Sequence, residues 1–123
     1  TGPARGCRAH VYPRPVIAIS RFRVDPAAAD PFTRQAEAAI EVLAAAPGFR
    51  TVDFGRNLDD PELWTLVTRW DDVGSYRRAL QGYQAKVTVV PLLSAAIDEP
   101  TAYDDPDRVG ENLARGSGVG PLS

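Results

Sequence analysis

Residues 63–80 read LWTLVTRWDDVGSYRRAL. From Leu63 to Trp70 apolar and polar side chains alternate, which is the period-2 pattern of a half-buried strand. Two aspartates follow. Val73, Tyr76, Ala79 and Leu80 then fall on one face of a helix, with Asp71 or Asp72 supplying the capping carboxylate at its start. A strand that passes through so short a junction into a helix is one part of a larger repeat of elements, and the flanking sequence completes it.

Upstream, FRTVDFGR (49–56) alternates as a second strand. The turn NLDDPE separates it from the first, and so short a loop permits only an antiparallel pair. VIAISRFRV (16–24) is rich in β-branched residues and bounded by Pro15 and Pro26, again a strand. Asp30-Pro31 predicts a helix start, a capping carboxylate followed by proline at the first helical position. Phe32, Ala36, Ala39, Ile40 and Leu43 make one helical stripe, and Pro47-Gly48 ends it. Downstream, Gly82 weakens the second helix. The stretch AKVTVVPLLSAAI (85–97) mixes strand-like VTVV with helically spaced Val90, Leu93 and Ile97, and Pro91 can open a fresh turn. It reads as an interrupted helix to about Ile97. PTAYD (100–104) is a short closing strand. The order β-α-β-β-α-β predicts an α+β, ferredoxin-like fold, with a four-stranded antiparallel sheet and both helices on one face.

The domain is expected over 16–106. Residues 1–15 (TGPARGCRAHVYPRP) read as an extended or disordered lead and 107–123 as a flexible tail. A chain of 123 residues, 44% of them hydrophobic, fits one domain with a real core. Its 14 basic and 16 acidic residues nearly balance, so nothing points to nucleic acid or an anionic membrane as partner. No apolar run approaches the roughly 20 residues of a membrane span, and no signal pattern opens the chain. One cysteine, Cys7, excludes an internal disulfide framework. These features predict a cytoplasmic protein. Only Lys86 interrupts an otherwise all-arginine set of basic residues. With abundant Ala, Gly and Pro, this composition points to a high-GC bacterial genome.

With helices on one face of the sheet, the other face of a monomer should be polar. Here both faces carry apolar residues: Ala18 and Phe22 point one way and Ile17 and Ile19 the other, while Trp64, Leu66 and Trp70 oppose Leu63 and Val67. About four large side chains remain uncovered whichever face meets the helices. At roughly 1.5–3 kcal/mol each, that is an upper bound on the order of 6–12 kcal/mol against a typical domain stability of about 5–15 kcal/mol. A sheet-to-sheet homodimer is the expected solution. The alternative is a monomer in which Val109, Leu113 and Leu122 of the tail fold over the sheet.

The strand, Trp, acidic cap and Tyr-bearing helix of VTRWDDVGSYRRAL, preceded by PGFRTVDFGRNLDDPELW, resemble the antibiotic biosynthesis monooxygenase (ABM) family over about residues 16–104. The resemblance implies a dimeric α+β barrel. It also implies a range of activities: oxidation of aromatic polyketides to quinones by O2 without metal or flavin, quinol-type monooxygenation, or haem degradation. The polyketide-oxidising members carry a Trp at the end of the third strand, matched by Trp70, and a Tyr six residues on, matched by Tyr76. Four residues before that Trp they carry Asn, where this chain has Leu66. They use a His on the second strand, where Arg56 or Asn57 stands here, and an Arg late in the second helix, absent near Val90. Haem-degrading members take an iron-ligating His from the second helix. The corresponding QAKVT has none, and the chain's single histidine, His10, lies in the lead.

The expected function is therefore cofactor-independent monooxygenation of an aromatic polyketide or quinol-like molecule. The alternative is a non-oxidative dimeric barrel, either a polyketide cyclase or isomerase or a ligand-binding dimer without turnover. Trp70, Trp64 and Phe22 are candidate walls for a flat substrate, with Leu66 beside them; equally, large aromatics at these positions plug a core. Tyr76 is the candidate donor, since a neutral phenol donates well and is a poor base at pH 7. Arg56, Arg21 or Arg69 would stabilise a phenolate, or serve in ordinary salt bridges. Asn57 opens a hairpin loop, where Asn is favoured for backbone reasons. The pairs Asp59-Asp60 and Asp71-Asp72 read as turn and cap residues. No Ser–His–Asp or Cys–His set and no metal-ligand spacing is present, and GSGVG in the tail has no strand or helix with which to cradle phosphate. No cofactor is expected.

Overall fold

The structure, a computed structural model, describes residues 15–106. Its elements run β1 (Val16–Arg23), a 3-10 turn (Pro26–Ala28), α1 (Ala29–Ala44), β2 (Phe49–Arg56), β3 (Leu63–Trp70), α2 (Val73–Ala79), a π-helical turn (Ala85–Val89), α3 (Val90–Ser94) and β4 (Ala102–Tyr103). The sheet order is β2-β3-β1-β4, antiparallel at every pairing. That is the expected ferredoxin-like α+β arrangement. The lead before Pro15 with Cys7 and His10, and the tail from 107 with Val109, Leu113 and Leu122, lie outside the described residues.

The core forms where even-numbered strand positions meet the helices. Val16, Ala18, Ser20 and Phe22 of β1 and Trp64, Leu66, Thr68 and Trp70 of β3 are all buried. Across from them, α1 presents Phe32, Ala36, Ala39 and Leu43, and the later helical segments present Ala85, Val89 and Leu92. The alternation in both central strands thus does what its period demands.

Three details differ from the sequence-based expectation. The capping role assigned to Asp30-Pro31 belongs to Asp25-Pro26, five residues earlier. Asp25 accepts from the Ala27 N–H at 2.8 Å and opens a 3-10 turn that runs straight into α1, leaving Asp30 in the first helical turn. The interrupted second helix has its break at residues 80–82 and ends at Ser94, not Ile97, because the Ile97 N–H leaves the helix to donate to the Arg21 carbonyl of β1. Between these points the chain widens to a π turn in which the Val90 N–H reaches the Ala85 carbonyl. Pro91 lacks an N–H, and its ring crowds the carbonyl four residues back, so the wider turn falls where a regular helix would meet that obstruction. The closing strand is two residues long. It is held to β1 by Ile19 N–H to Thr101 O at 2.7 Å and by Arg21, whose Nε and Nη2 donate to the Glu99 carboxylate at 2.7 and 2.8 Å.

The turn after α1 fixes the junction quoted at the start. Gly48 sits at φ +87°, and a Cβ built there would fall on the Cβ and Oγ of Ser75 in α2. Its carbonyl accepts from the Asp71 N–H at 2.8 Å, and Phe49 pairs with Trp70. Both the left-handed backbone and the close approach require glycine. Gly48→Ala should therefore cost about 2–4 kcal/mol in urea unfolding, from the left-handed penalty plus overpacking. Adding Ser75→Gly should recover only the steric share, and a cost under 1 kcal/mol for Gly48→Ala alone would contradict the close packing of this turn.

Candidate functional site

The junction residues build one end of the helix-covered face. Asp72 is the residue that caps α2, accepting from the Ser75 N–H at 2.7 Å, while Asp71 takes Arg50 Nε at 2.8 Å. Capping at Asp72 places Tyr76 one turn into α2, over the end of β3. Its ring centroid lies 6.0 Å from that of Trp70, and Phe49 meets Trp70 edge-on at 5.4 Å. Trp70 is fully buried, and its Nε1 donates to Thr68 Oγ1 at 2.9 Å.

Beside this aromatic group, between sheet and helices, is a cavity of about 10 Å³. Ala18, Leu43, Leu66, Leu80 and Leu93 give it apolar walls, and Ser20, Thr68 and Tyr76 bring hydroxyls to it. That volume is at the lower limit for a single water. No charged side chain lines it. Tyr76 and Leu66 therefore line the cavity, and Trp70 stands behind Tyr76.

The remaining sequence candidates lie elsewhere. Trp64 shares a face with Trp70, but six residues along a strand is about 20 Å. Trp64 belongs to a second aromatic cluster: Phe54 stacks on it at 5.5 Å, Phe32 meets it edge-on at 5.3 Å, and Phe22 packs on Phe32 at 5.1 Å. The Arg56 guanidinium lies 4.8 Å over the Trp64 ring, and its Nε donates to the Pro61 carbonyl at 2.6 Å. Trp64 Nε1 is buried without a partner among the described residues. Asn57 does turn duty, its Oδ1 accepting from the N–H groups of Asp59 and Asp60 at 2.8 Å each. A shallow open depression of about 290 Å³ gathers Trp64, Arg56 and Asn57 at this end of the sheet, with Gly55, Leu63 and Arg21 around it.

The electrostatics are those of an exposed rim. Arg21 is held above its ordinary value by its hydrogen bonds and charge pairing with Glu99, and the same pair holds Glu99 low. Asp60 is lowered first by the Glu62 N–H and then by Arg23. Among the described residues no group of three or more His, Cys, Asp or Glu could hold a metal ion, and no helix is long and apolar enough to cross a membrane. Ser20 and Thr68 were missed in the sequence. Their signal was available: both occupy the same strand parity as the apolar residues that enter the core.

Residues 15–89 match the family model described as antibiotic biosynthesis monooxygenase. The chain belongs to the antibiotic biosynthesis monooxygenase family. Solved structures share the ABM fold. SnoaB, a cofactor-independent oxygenase from Streptomyces nogalater, is 23% identical with a TM-score of 0.64, over 74% of this chain and 92% of that one. A conserved protein from Methanosarcina mazei Go1 is 23% identical with a TM-score of 0.63 over the same shares. Rv0793 from Mycobacterium tuberculosis is 18% identical with a TM-score of 0.60, over 74% of this chain and 94% of that one. At these identities the likeness is one of fold. No curated protein matches the chain.

Proposed function

We propose that this ABM protein is a homodimer that oxidises a small aromatic, quinol-like molecule with O2, without a cofactor, in the cavity beneath Tyr76. The observation that carries the reading is the lining of that cavity: apolar walls, neutral hydroxyls and no charged group, against the Trp70–Tyr76 pair. Cofactor-free oxygenation asks for such surroundings, dry enough to expose an electron-rich anion to O2 and with donors aimed at its oxygen. For an anthrone-type substrate the ring methylene becomes a carbonyl. One oxygen atom of O2 enters the product, and the other leaves as water with the two methylene hydrogens. No lining residue is a base, so the substrate loses its proton to solvent water before it is enclosed, and Tyr76 donates to the resulting anion. Entry requires Leu80 and Leu93 to move aside. Both are half-buried; Leu80 opens the break at residues 80–82, and Leu93 lies beyond it in α3.

The dimer reading rests on the uncovered sheet face. Ile17, Ile19, Leu63 and Val67 remain half-buried there, and Tyr103, paired with Ile17, is 50% exposed. A non-oxidative cyclase, isomerase or ligand-binding dimer is favoured by one observation, the 2% exposed Leu66 that fills the position where the oxidising members carry Asn.

Aerobic incubation with an anthrone, followed by quinone absorbance and an oxygen electrode, separates the readings. The oxygenase consumes one O2 per quinone, and Tyr76→Phe lowers kcat by about 100- to 1,000-fold, the scale of one lost transition-state donor. Product without O2 uptake assigns the non-oxidative enzyme. Saturable binding with no product assigns the binding dimer.

A further inference from the structure

We infer that the tip of the β2–β3 hairpin is a docking peg, and that it seats in a second copy of this chain, in the groove between the end of α1 and α2. The peg is the Leu58 side chain with the Asp59 carboxylate beside it. The socket is an apolar groove that Arg78 also lines. The contact uses neither the cavity beneath Tyr76 nor the uncovered sheet face, so it rests on neither the oxygenase nor the dimer reading.

A lone exposed leucine needs no explanation. Leu58 differs in how it is held. It is 99% exposed, yet the residues on both sides of it are fixed. The Asn57 N–H donates to the Leu63 carbonyl at 2.7 Å, and Asn57 Oδ1 accepts from the N–H groups of Asp59 and Asp60. Asp60 accepts from Arg23 at 3.0 Å and from the Glu62 N–H at 3.1 Å, and Arg56 holds the Pro61 carbonyl. Glu62 also lies near Arg23, at 3.8 Å. The Asp59 carboxylate, by contrast, makes no hydrogen bond or ion pair among the described residues. The turn therefore presents one apolar side chain and one unspent negative charge, and its rigidity means that little freedom is lost on docking.

The complement lies at the other end of β2. Val42, Ala46 and Pro47 at the close of α1, with Ala79 and Ala85 on either side of the helix break, wall a groove of about 280 Å³. Arg78 lines it too. That side chain is exposed, and its polar contact among the described residues is Nη2 to Ser75 Oγ at 3.4 Å; no carboxylate there meets it. Leucine thus matches apolar walls, and carboxylate matches guanidinium. Peg and groove cannot meet within one chain, because the 8 residues of β2 set them roughly 25 Å apart. The contact is heterologous: a copy that seats its peg leaves its own groove open for the next, and copies add head to tail. A seam this small is weak and is populated at high concentration.

Sedimentation velocity on the full chain, from about 10 μM to about 1 mM, tests this in the range where a weak contact fills. The average sedimentation coefficient should climb with concentration. Raising salt to roughly 0.5 M should shrink the climb without removing it, since screening weakens the ion pair and not the leucine. Leu58→Ser, at an exposed position that leaves the fold intact, should abolish the climb. Asp59→Arg and Arg78→Asp should each weaken association by about three- to tenfold, the scale of an exposed ion pair turned into a repulsion. An equal mixture of those two variants should regain it, and so should the double variant, because opposite charges then face each other. By NMR, the amide signals of Leu58 and Ala85 should shift together as concentration rises. No climb in the wild type overturns the inference. A climb that survives Leu58→Ser belongs to the uncovered sheet face and overturns it as well, as does a double variant no stronger than its parents. Shifts at Leu58 with Ala79 and Ala85 unmoved would remove the groove as the socket.

Discussion

Trp70→Ala should lower the free energy of unfolding by about 3–5 kcal/mol, the range for truncating a fully buried large aromatic. Trp70 is 0% exposed, and its removal strips three contacts at once: the edge of Phe49, the ring of Tyr76 and the acceptor Thr68. The cavity so opened would lie at the strand–helix junction, where the Gly48–Ser75 approach leaves little freedom for the backbone to close it. Urea unfolding followed by far-UV circular dichroism measures the loss. Trp70→Phe keeps a ring but leaves the Thr68 hydroxyl without its indole donor, and should cost about 1–3 kcal/mol. A loss below 1 kcal/mol for Trp70→Ala would mean that the junction is not the packed corner described. The comparison also governs how activity is read. Lost turnover in Trp70→Ala reports a damaged fold, so a role in the chemistry must be sought in Tyr76→Phe and Trp70→Phe.

Much of this architecture was legible because strand alternation and helix stripes report burial directly. Phe32, Ala36, Ala39 and Leu43 are apolar at helical spacing and buried together. Even positions of β1 and β3 enter the core, and Pro47-Gly48-Phe49 marks the turn that Gly48's positive φ demands. What escaped depends on distances that periodicity does not carry. Trp64 and Trp70 share a face, which suggested one wall, yet a strand extends about 20 Å between them and each joins its own aromatic cluster. Arg56 was read as a possible anion ligand. It lies 4.8 Å over the Trp64 ring and is tethered to Pro61, a cation–π use of the guanidinium invisible without the register that pairs Arg56 with Trp64. Ser20 and Thr68 were overlooked because attention to apolar residues in a buried stripe passes over the polar ones, although a hydroxyl at a buried parity is the more informative observation.

Val67→Asp should convert the proposed dimer to monomers. Val67 pairs with Ile19 at the centre of the β1–β3 ladder, on the face the helices leave uncovered, with Ile17 and Leu63 on the same surface. In an isolated chain the new carboxylate points to solvent but stands directly across from Asp53 of β2, so the fold should be kept with a modest loss of stability beyond that of the lost partner. In a two-fold sheet-to-sheet pair, symmetry places two such carboxylates in the seam. Each buried, uncompensated charge costs about 3–5 kcal/mol, so dimer affinity should fall by at least about a thousandfold. Sedimentation velocity should then give the mass of two chains for the wild type and of one for the variant at the same micromolar concentration. A wild-type mass of one chain would remove the homodimer, and a Val67→Asp protein that stays dimeric would move the interface to another surface. The substitution also isolates assembly from chemistry. Val67 faces away from the cavity beneath Tyr76, so a monomeric variant that still forms quinone would place the site wholly within one subunit.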